Sequence, residues 1–197
     1  GSMFDIGNES LIAYDISHWR PYQGESISLK RLARKLNIRE FRMPEIPKNY
    51  WDKPKMGIPF ARFPRWLFCS SCRSLKNYRE KIDDVPKCNN PRCHDKVLTP
   101  MRFVAACKDG HLSDIDWHYW AHSRSQNVNC QVRDKLQFRN IPNRGGGLAS
   151  LEIYCQECNS RRDLSDLFSP SSLTSIGVKC PGKQPWQRTS EKVDCEE

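Results

Sequence analysis

Two segments decide how this chain folds: residues 60–72, FARFPRWLFCSSC, and residues 103–122, FVAACKDGHLSDIDWHYWAH. The whole stretch they frame, from Phe60 to Cys130, holds six of the ten cysteines and four of the five histidines, set among tryptophans. Dense soft ligands in a chain otherwise poor in apolar residues imply that metal ions hold this region together where a large core would normally do so. The expected fold class is α+β, built of small irregular zinc-ribbon-type modules with short helices and strands.

Composition agrees with that reading. Hydrophobic residues make up 38% of the 197 positions and the mean hydropathy is -0.74, so burial alone would stabilise the fold weakly. Ten cysteines could form disulfides in a secreted protein. However, Cys-x2-Cys pairs are short for a disulfide framework and well spaced for a metal, and the opening GSMFDIGNES lacks a basic region followed by an apolar one. A reduced, cytoplasmic compartment is expected, with Gly1 and Ser2 read as a tag remnant. No run of about 18 apolar residues suggests a membrane span.

The metal ligands fall into groups by spacing. Cys69-x2-Cys72, fifteen residues, then Cys88-x4-Cys93 lets two knuckles close on one tetrahedral ion, a zinc-ribbon signature, with Asn89, Asn90 and Pro91 supplying turn residues. Cys155-x2-Cys158 with Cys180 and Cys195 forms a second expected site. Cys107, His111, His122 and Cys130 remain for a third, in which His118 could replace His122, since it lies on nearly the same helix face. His94 and His18 are not expected ligands. Two to three Zn2+ ions per chain follow.

A catalytic metal would need an open position and usually a carboxylate base. His111 with Asp114 and Asp116 fits only loosely, because Ser113-Asp114-Ile115-Asp116 reads as a helix start, where acidic side chains complement the dipole. No HExxH or HxE…CxxC pattern is present, so a zinc-dependent nuclease or hydrolase is the third reading and a non-enzyme is expected.

Charge divides the chain unevenly. Residues 1–106 carry 20 Lys and Arg against 11 Asp and Glu, and residues 107–197 carry 12 against 12, so the net +9 lies in the first half. That half is the expected polyanion face. Ser26 or Ser28 can cap a helix through Asn37, with Leu29, Leu32, Ala33 and Leu36 on one side and Lys30, Arg31, Arg34 and Lys35 on the other, available to phosphates. Residues 44–64 hold five prolines and read as a surface connector with Lys48, Lys53, Lys55, Arg62 and Arg65 facing out.

Elsewhere, residues 3–25 show no sustained period. Residues 101–107 read as a buried strand, and residues 114–124 as a helix capped by Ser113, with Asp116 at the capping-box position and Trp117, Trp120 and Ala121 on one face. Residues 148–155 read as a half-buried strand with Ala149, Leu151 and Ile153 on one side, and residues 163–168 as a helical turn. Gly145-Gly146-Gly147 is a loop without the Gly-Lys-Ser or Gly-Lys-Thr of a phosphate cradle. The expected units are a basic helical and proline-rich segment (1–58), a zinc-ribbon module (59–106) and a second zinc-binding region (107–197).

The order FRMP, RFPRWLFCSSC, a second cysteine pair, RFVAACKDGHLSDIDWHYWAH, Cys130, LEIYCQEC, DLSDLF and CPGKQPW resembles the DrmB-like proteins of bacterial DISARM anti-phage systems, from about Leu29 to Cys195. The resemblance implies a cytoplasmic defence protein that works beside a superfamily-2 helicase on DNA, with no catalytic centre of its own. Members of that family are much longer, so the chain is expected to correspond to their amino-terminal portion, as a fragment or as a split subunit. A zinc-stabilised module that helps a helicase bind DNA is therefore the first expectation. The alternative is an interaction scaffold without DNA contact.

Overall fold

The computed structural model describes residues 1–19, 24–44, 58–78, 85–125, 129–169, 171–187 and 192–195. In chain order the strands are β1 (Met3–Ile6), β2 (Glu9–Ala13), β3 (Ser26–Ile27), β4 (Phe41–Arg42), β5 (Phe60–Arg62), β6 (Trp66–Phe68), β7 (Ser74–Asn77), β8 (Thr99–Pro100), β9 (Val104–Ala106), β10 (Leu112–Asp114), β11 (Leu136–Asn140), β12 (Leu151–Cys155) and β13 (Arg161–Asp163). The α-helices are α1 (Lys30–Leu36), α2 (Trp117–His122) and α3 (Ser172–Ser175). Short helices and antiparallel strands make this an α+β fold.

The centre is an antiparallel sheet in the order β13-β12-β11-β7-β6-β8. One row of facing side chains, Phe68, Leu75, Leu136 and Cys155, crosses four of its strands and is buried throughout. Trp117, Trp120 and Ala121 of α2 cover that face with Ile115, Leu164 and Leu167, forming the main core. Trp66 and Phe68 point into it, whereas Leu67 between them points the opposite way into a second, small cluster with Cys69, Cys88 and Leu98. That alternation explains why Trp-Leu-Phe is apolar at every position. It packs two cores, one hydrophobic and one centred on thiols.

The sheet crosses the expected boundary at residue 106, because β7 pairs with β11. Likewise β5 pairs with β2 across the boundary expected at residue 58. Residues 3–25 also contain more structure than their pattern suggests: Gly7, at φ 61, turns the β1–β2 hairpin. The expected connector at 44–64 ends in strand β5; its residues 45–57, including Lys48, Lys53 and Lys55, lie outside the described residues.

Five expected elements shift. Helix α1 starts at Lys30, with Ser26 drawn into β3 and Leu29 as an N-cap lacking a side-chain bond, and it ends at Asn37 in the left-handed region. Its leucine stripe is not buried: only Ala33 is, while Leu29, Leu32 and Leu36 are exposed. The expected buried strand at 101–107 is the half-exposed β9 of a β9–β10 ribbon. Helix α2 begins three residues later than expected because Ser113 and Asp114 belong to β10. Asp116 is itself the N-cap, accepting from the backbone N–H groups of His118 and Tyr119. Residues 148–150 form a 3-10 turn that leads into β12, and residues 164–168 form a hydrogen-bonded turn after β13.

Candidate metal centres

Each Cys-x2-Cys pair sits in the turn of a sheet hairpin, Cys69–Cys72 between β6 and β7 and Cys155–Cys158 between β12 and β13. The two turns share one geometry. The first cysteine's N–H donates to the carbonyl five residues on, Cys69 to Ser74 at 2.9 Å and Cys155 to Ser160 at 2.8 Å, and its carbonyl accepts from the N–H four residues on. That fourth residue, Arg73 or Asn159, has φ 62 in both cases, which turns the chain so that both thiols face the same side. The sequence carries the repetition as LFCSSCRS against IYCQECNS, a signal the spacing argument did not use. The Cys88–Cys93 loop needs two left-handed residues, His94 and Asp95, before Lys96 closes it back onto Cys88.

Three sets of four ligand atoms result: Cys69, Cys72, Cys88 and Cys93; Cys107, His111, Cys180 and Cys195; and His122, Cys130, Cys155 and Cys158. Within each set every ligand atom lies within 4.8 Å of the others. Representative separations are 3.5 Å for Cys72–Cys88, 3.8 Å for Cys107–Cys195, 3.9 Å for Cys130–Cys155 and 3.2 Å from His122 Nε2 to Cys158 Sγ. A tetrahedral ion with metal–sulfur bonds of about 2.3 Å holds its thiolates roughly 3.8 Å apart. A disulfide would need about 2.05 Å, and all ten cysteines are free. The donor sets therefore fit a soft or borderline tetrahedral cation.

The twelve residues singled out from the sequence are the twelve gathered here, but two of the three groups are exchanged. Cys155 and Cys158 do not meet Cys180 and Cys195; they meet His122 and Cys130. Topology is the reason. Helix α2 packs on β12 and β13, which carries its last residue, His122, to their connecting knuckle. Strand β11, just after Cys130, runs antiparallel to β12 and places Cys130 beside the end where Cys155 lies. The late segment is held at the β9–β10 turn by Gln184, which accepts from the Leu112 N–H at 3.2 Å and donates to the Gly110 carbonyl at 2.9 Å. Cys180 and Cys195 thus close on Cys107 and His111.

Between the two candidate histidines the geometry selects His122. Its Nδ1 donates to the His118 carbonyl at 2.6 Å, which leaves the Nε2 lone pair facing Cys158. His118 is buried with its ring stacked 4.2 Å from that of His122, outside the cluster. Burial pushes its pKa down, and the neighbouring His122 adds to this.

Electrostatics within the sets show why thiols so close together call for a cation. Burial opposes ionisation of Cys69, yet backbone N–H groups of Cys72 and Ser71 and the Cys88 and Cys72 thiols bring it down to about 7. Cys88, beside it, is pushed up to about 12 by burial and by thiols that compete for the same charge. In the third set Cys158 falls to about 6, burial being outweighed by the hydroxyl and N–H of Ser160, while burial raises Cys130 to about 11. In these two clusters one thiolate forms readily and the next is resisted. A divalent ion at the centre removes that resistance.

A family model described as Domain of unknown function (DUF8724) matches residues 1–197. The chain belongs to this family. DISARM protein DrmB of Bacillus paralicheniformis is similar to it, at 32% identity over 201 aligned residues, which is 98% of this chain and 33% of that relative. This DUF8724 chain is thus DrmB-like along its length and spans about a third of the relative's length.

The expected nucleic-acid residues are distributed differently from the metal ligands. Lys30, Arg31, Arg34 and Lys35 are exposed on α1 of this DUF8724 chain, and Arg65 is exposed beside the sheet. Arg62 does not face out. It is buried, pairs with Glu9 at 2.8 Å and lies 5.0 Å over the Tyr78 ring. Asp114 and Asp116, weighed above as metal-site carboxylates, are engaged elsewhere. Asp114 accepts from the Arg65 N–H at 2.9 Å, and Asp116 caps α2 and pairs with Arg133 at 2.8 Å. Among the described residues no helix is long and apolar enough to cross a membrane.

Proposed function

We propose that this DUF8724 chain is a zinc-stabilised, non-catalytic portion of a DrmB-like anti-phage defence protein that assists a helicase partner in binding DNA in the cytoplasm. The observation that carries the metal part is the set of three four-ligand clusters with tetrahedral spacing. One cluster of four thiols and two of three thiols with an imidazole suit structural zinc, and sets closed by four protein ligands leave no position for substrate. The hairpin turns that carry Cys69–Cys72 and Cys155–Cys158 are zinc-ribbon knuckles on this reading. The engagement of Asp114 by the Arg65 N–H and of Asp116 as the α2 cap supports the non-catalytic part.

The exposed basic row of α1 supports DNA contact. The apolar row of the same helix, exposed at Leu29, Leu32 and Leu36, favours the second reading, an interaction scaffold whose partner covers those leucines. Two measurements test these proposals. Metal analysis of the purified chain should give two to three zinc ions, and fewer than two overturns the metal assignment. Titration with labelled DNA at two salt concentrations should show affinity falling steeply with salt; no binding at low salt leaves the scaffold reading.

A further inference from the structure

The charge-neutral second half of the chain contains a concentrated cationic site that the distribution of net charge conceals. A cavity of about 670 Å³ opens at the β13 edge of the central sheet, lined by Arg124, Arg139, Arg144, Arg161 and Arg162 against only two carboxylates, Glu152 and Asp163. Asp166, behind it, bridges Arg124 at 2.5 Å and Arg162 at 2.7 Å, so a surplus of two positive charges remains even when it is counted. The lining includes no lysine. Arginine in place of lysine is what planar, two-pronged recognition of phosphate oxygens requires.

These side chains are held in place. Arg139 donates to Glu152 at 2.7 Å and lies 3.7 Å over the Tyr154 ring; Arg144 donates to Asp163 at 2.9 Å; Arg162 is buried, 3.8 Å over Trp120, and donates to Ser123. At the partly exposed Arg139 and Arg144 these pairings leave further N–H donors of the guanidinium to a ligand, whereas the buried Arg162 adds its charge. Register puts Arg139, Glu152 and Asp163 in one row on the face away from α2, with Arg161 in the next. Among the described residues Arg161 has no carboxylate partner.

We infer that this arginine cleft is a binding site for the phosphodiester backbone of single-stranded nucleic acid. The inference rests on the DNA reading above and places its contacts on residues far in sequence from the basic first half. The cleft's volume falls within the range of small-ligand pockets, which admit a few backbone groups of one strand. Its polar, arginine-lined wall presents donors to phosphate oxygens and not to base edges, so binding there is insensitive to sequence.

The test uses the full chain with a labelled single-stranded oligonucleotide, comparing the parent, Arg144→Gln with Arg161→Gln, and a second form with Lys30, Arg31, Arg34 and Lys35 all changed to Gln. Zinc content and circular dichroism check that each variant keeps the parent's fold. The cleft variant should bind about tenfold more weakly, and its log–log salt slope should be shallower by roughly 0.7 for every phosphate it no longer neutralises. Cleft-variant affinity and slope equal to the parent's, with weaker binding only in the α1 form, overturn this site and leave the DNA reading intact. Absence of binding by the parent at low salt overturns both, while zinc content reports separately on the metal assignment.

Discussion

His118 and His122 show how one hydrogen bond separates a ligand from a neighbour. Both are buried on α2, four residues apart, but only His122 has a ring nitrogen oriented by a carbonyl and the other facing a thiol. His122→Gln should therefore lower the zinc content by one ion, and His118→Gln should keep all of it; metal analysis of the two proteins decides. Arg162 permits a second prediction. It is the buried partner of Asp166 and covers the Trp120 ring, so Arg162→Ala removes a charge-assisted bond and that packing, leaves Asp166 with Arg124 alone, and should cost about 2 kcal/mol in chemical denaturation. Burial alone would raise the Asp166 pKa, but the Arg162 bond and the charges of Arg162 and Arg124 hold it below its ordinary 3.8. A depressed carboxylate stabilises the fold above its ordinary pKa and loses that contribution as pH falls through the lower folded value. The gap between parent and variant should therefore be full at neutral pH and narrow below about pH 4.

At the scale of elements, α2 and the knuckles are legible in the sequence and α1 only in part. Trp117, Trp120 and Ala121 do share a buried face, but the start of the helix lies elsewhere than expected because Ser113-Asp114 looks like a cap when strand β10 is not yet known. Pairing with β9 claims those residues before the helix can. Asp116→Ala should then destabilise the protein by about 1 kcal/mol through loss of the cap, whereas Ser113→Ala, expected from the sequence to do this, should not unwind α2; thermal melts of the two variants compare them. In α1 the 3.6-residue period does correspond to a helix. Its leucines are nevertheless exposed, since periodicity reports a face able to be buried and not whether another element covers it. Strands β1, β2 and β13 carry no periodic signal because they are only 4, 5 and 3 residues long, and β1 and β13 lie at sheet edges.

For the whole molecule, sequence spacing identifies which twelve side chains gather but does not decide which gather together. Proximity along the chain links Cys155 and Cys158 to the next two cysteines, while the β11–β12 pairing and the docking of α2 link them to His122 and Cys130. The two partitions make different predictions for one protein. In Cys155→Ser with Cys180→Ser, grouping by spacing damages a single site and one ion is lost. Grouping by topology damages two independent sites, so two ions should be lost and the Cys69–Cys93 cluster should keep the third. Cobalt substitution supplies a second reading of the same question: the parent should show one four-thiolate centre and two with three thiolates and an imidazole, not two four-thiolate centres and one of mixed character. Because the third cluster ties α2 to the β12–β13 knuckle against the main core, its removal should cost far more cooperativity than removal of the partly exposed cluster at Cys107. Structural zinc contributes on the order of 10 kcal/mol to metal-dependent folds. Cys155→Ser alone should therefore broaden or abolish the thermal transition while Cys180→Ser alone lowers its midpoint, and equal behaviour of the two single variants would contradict the assignment.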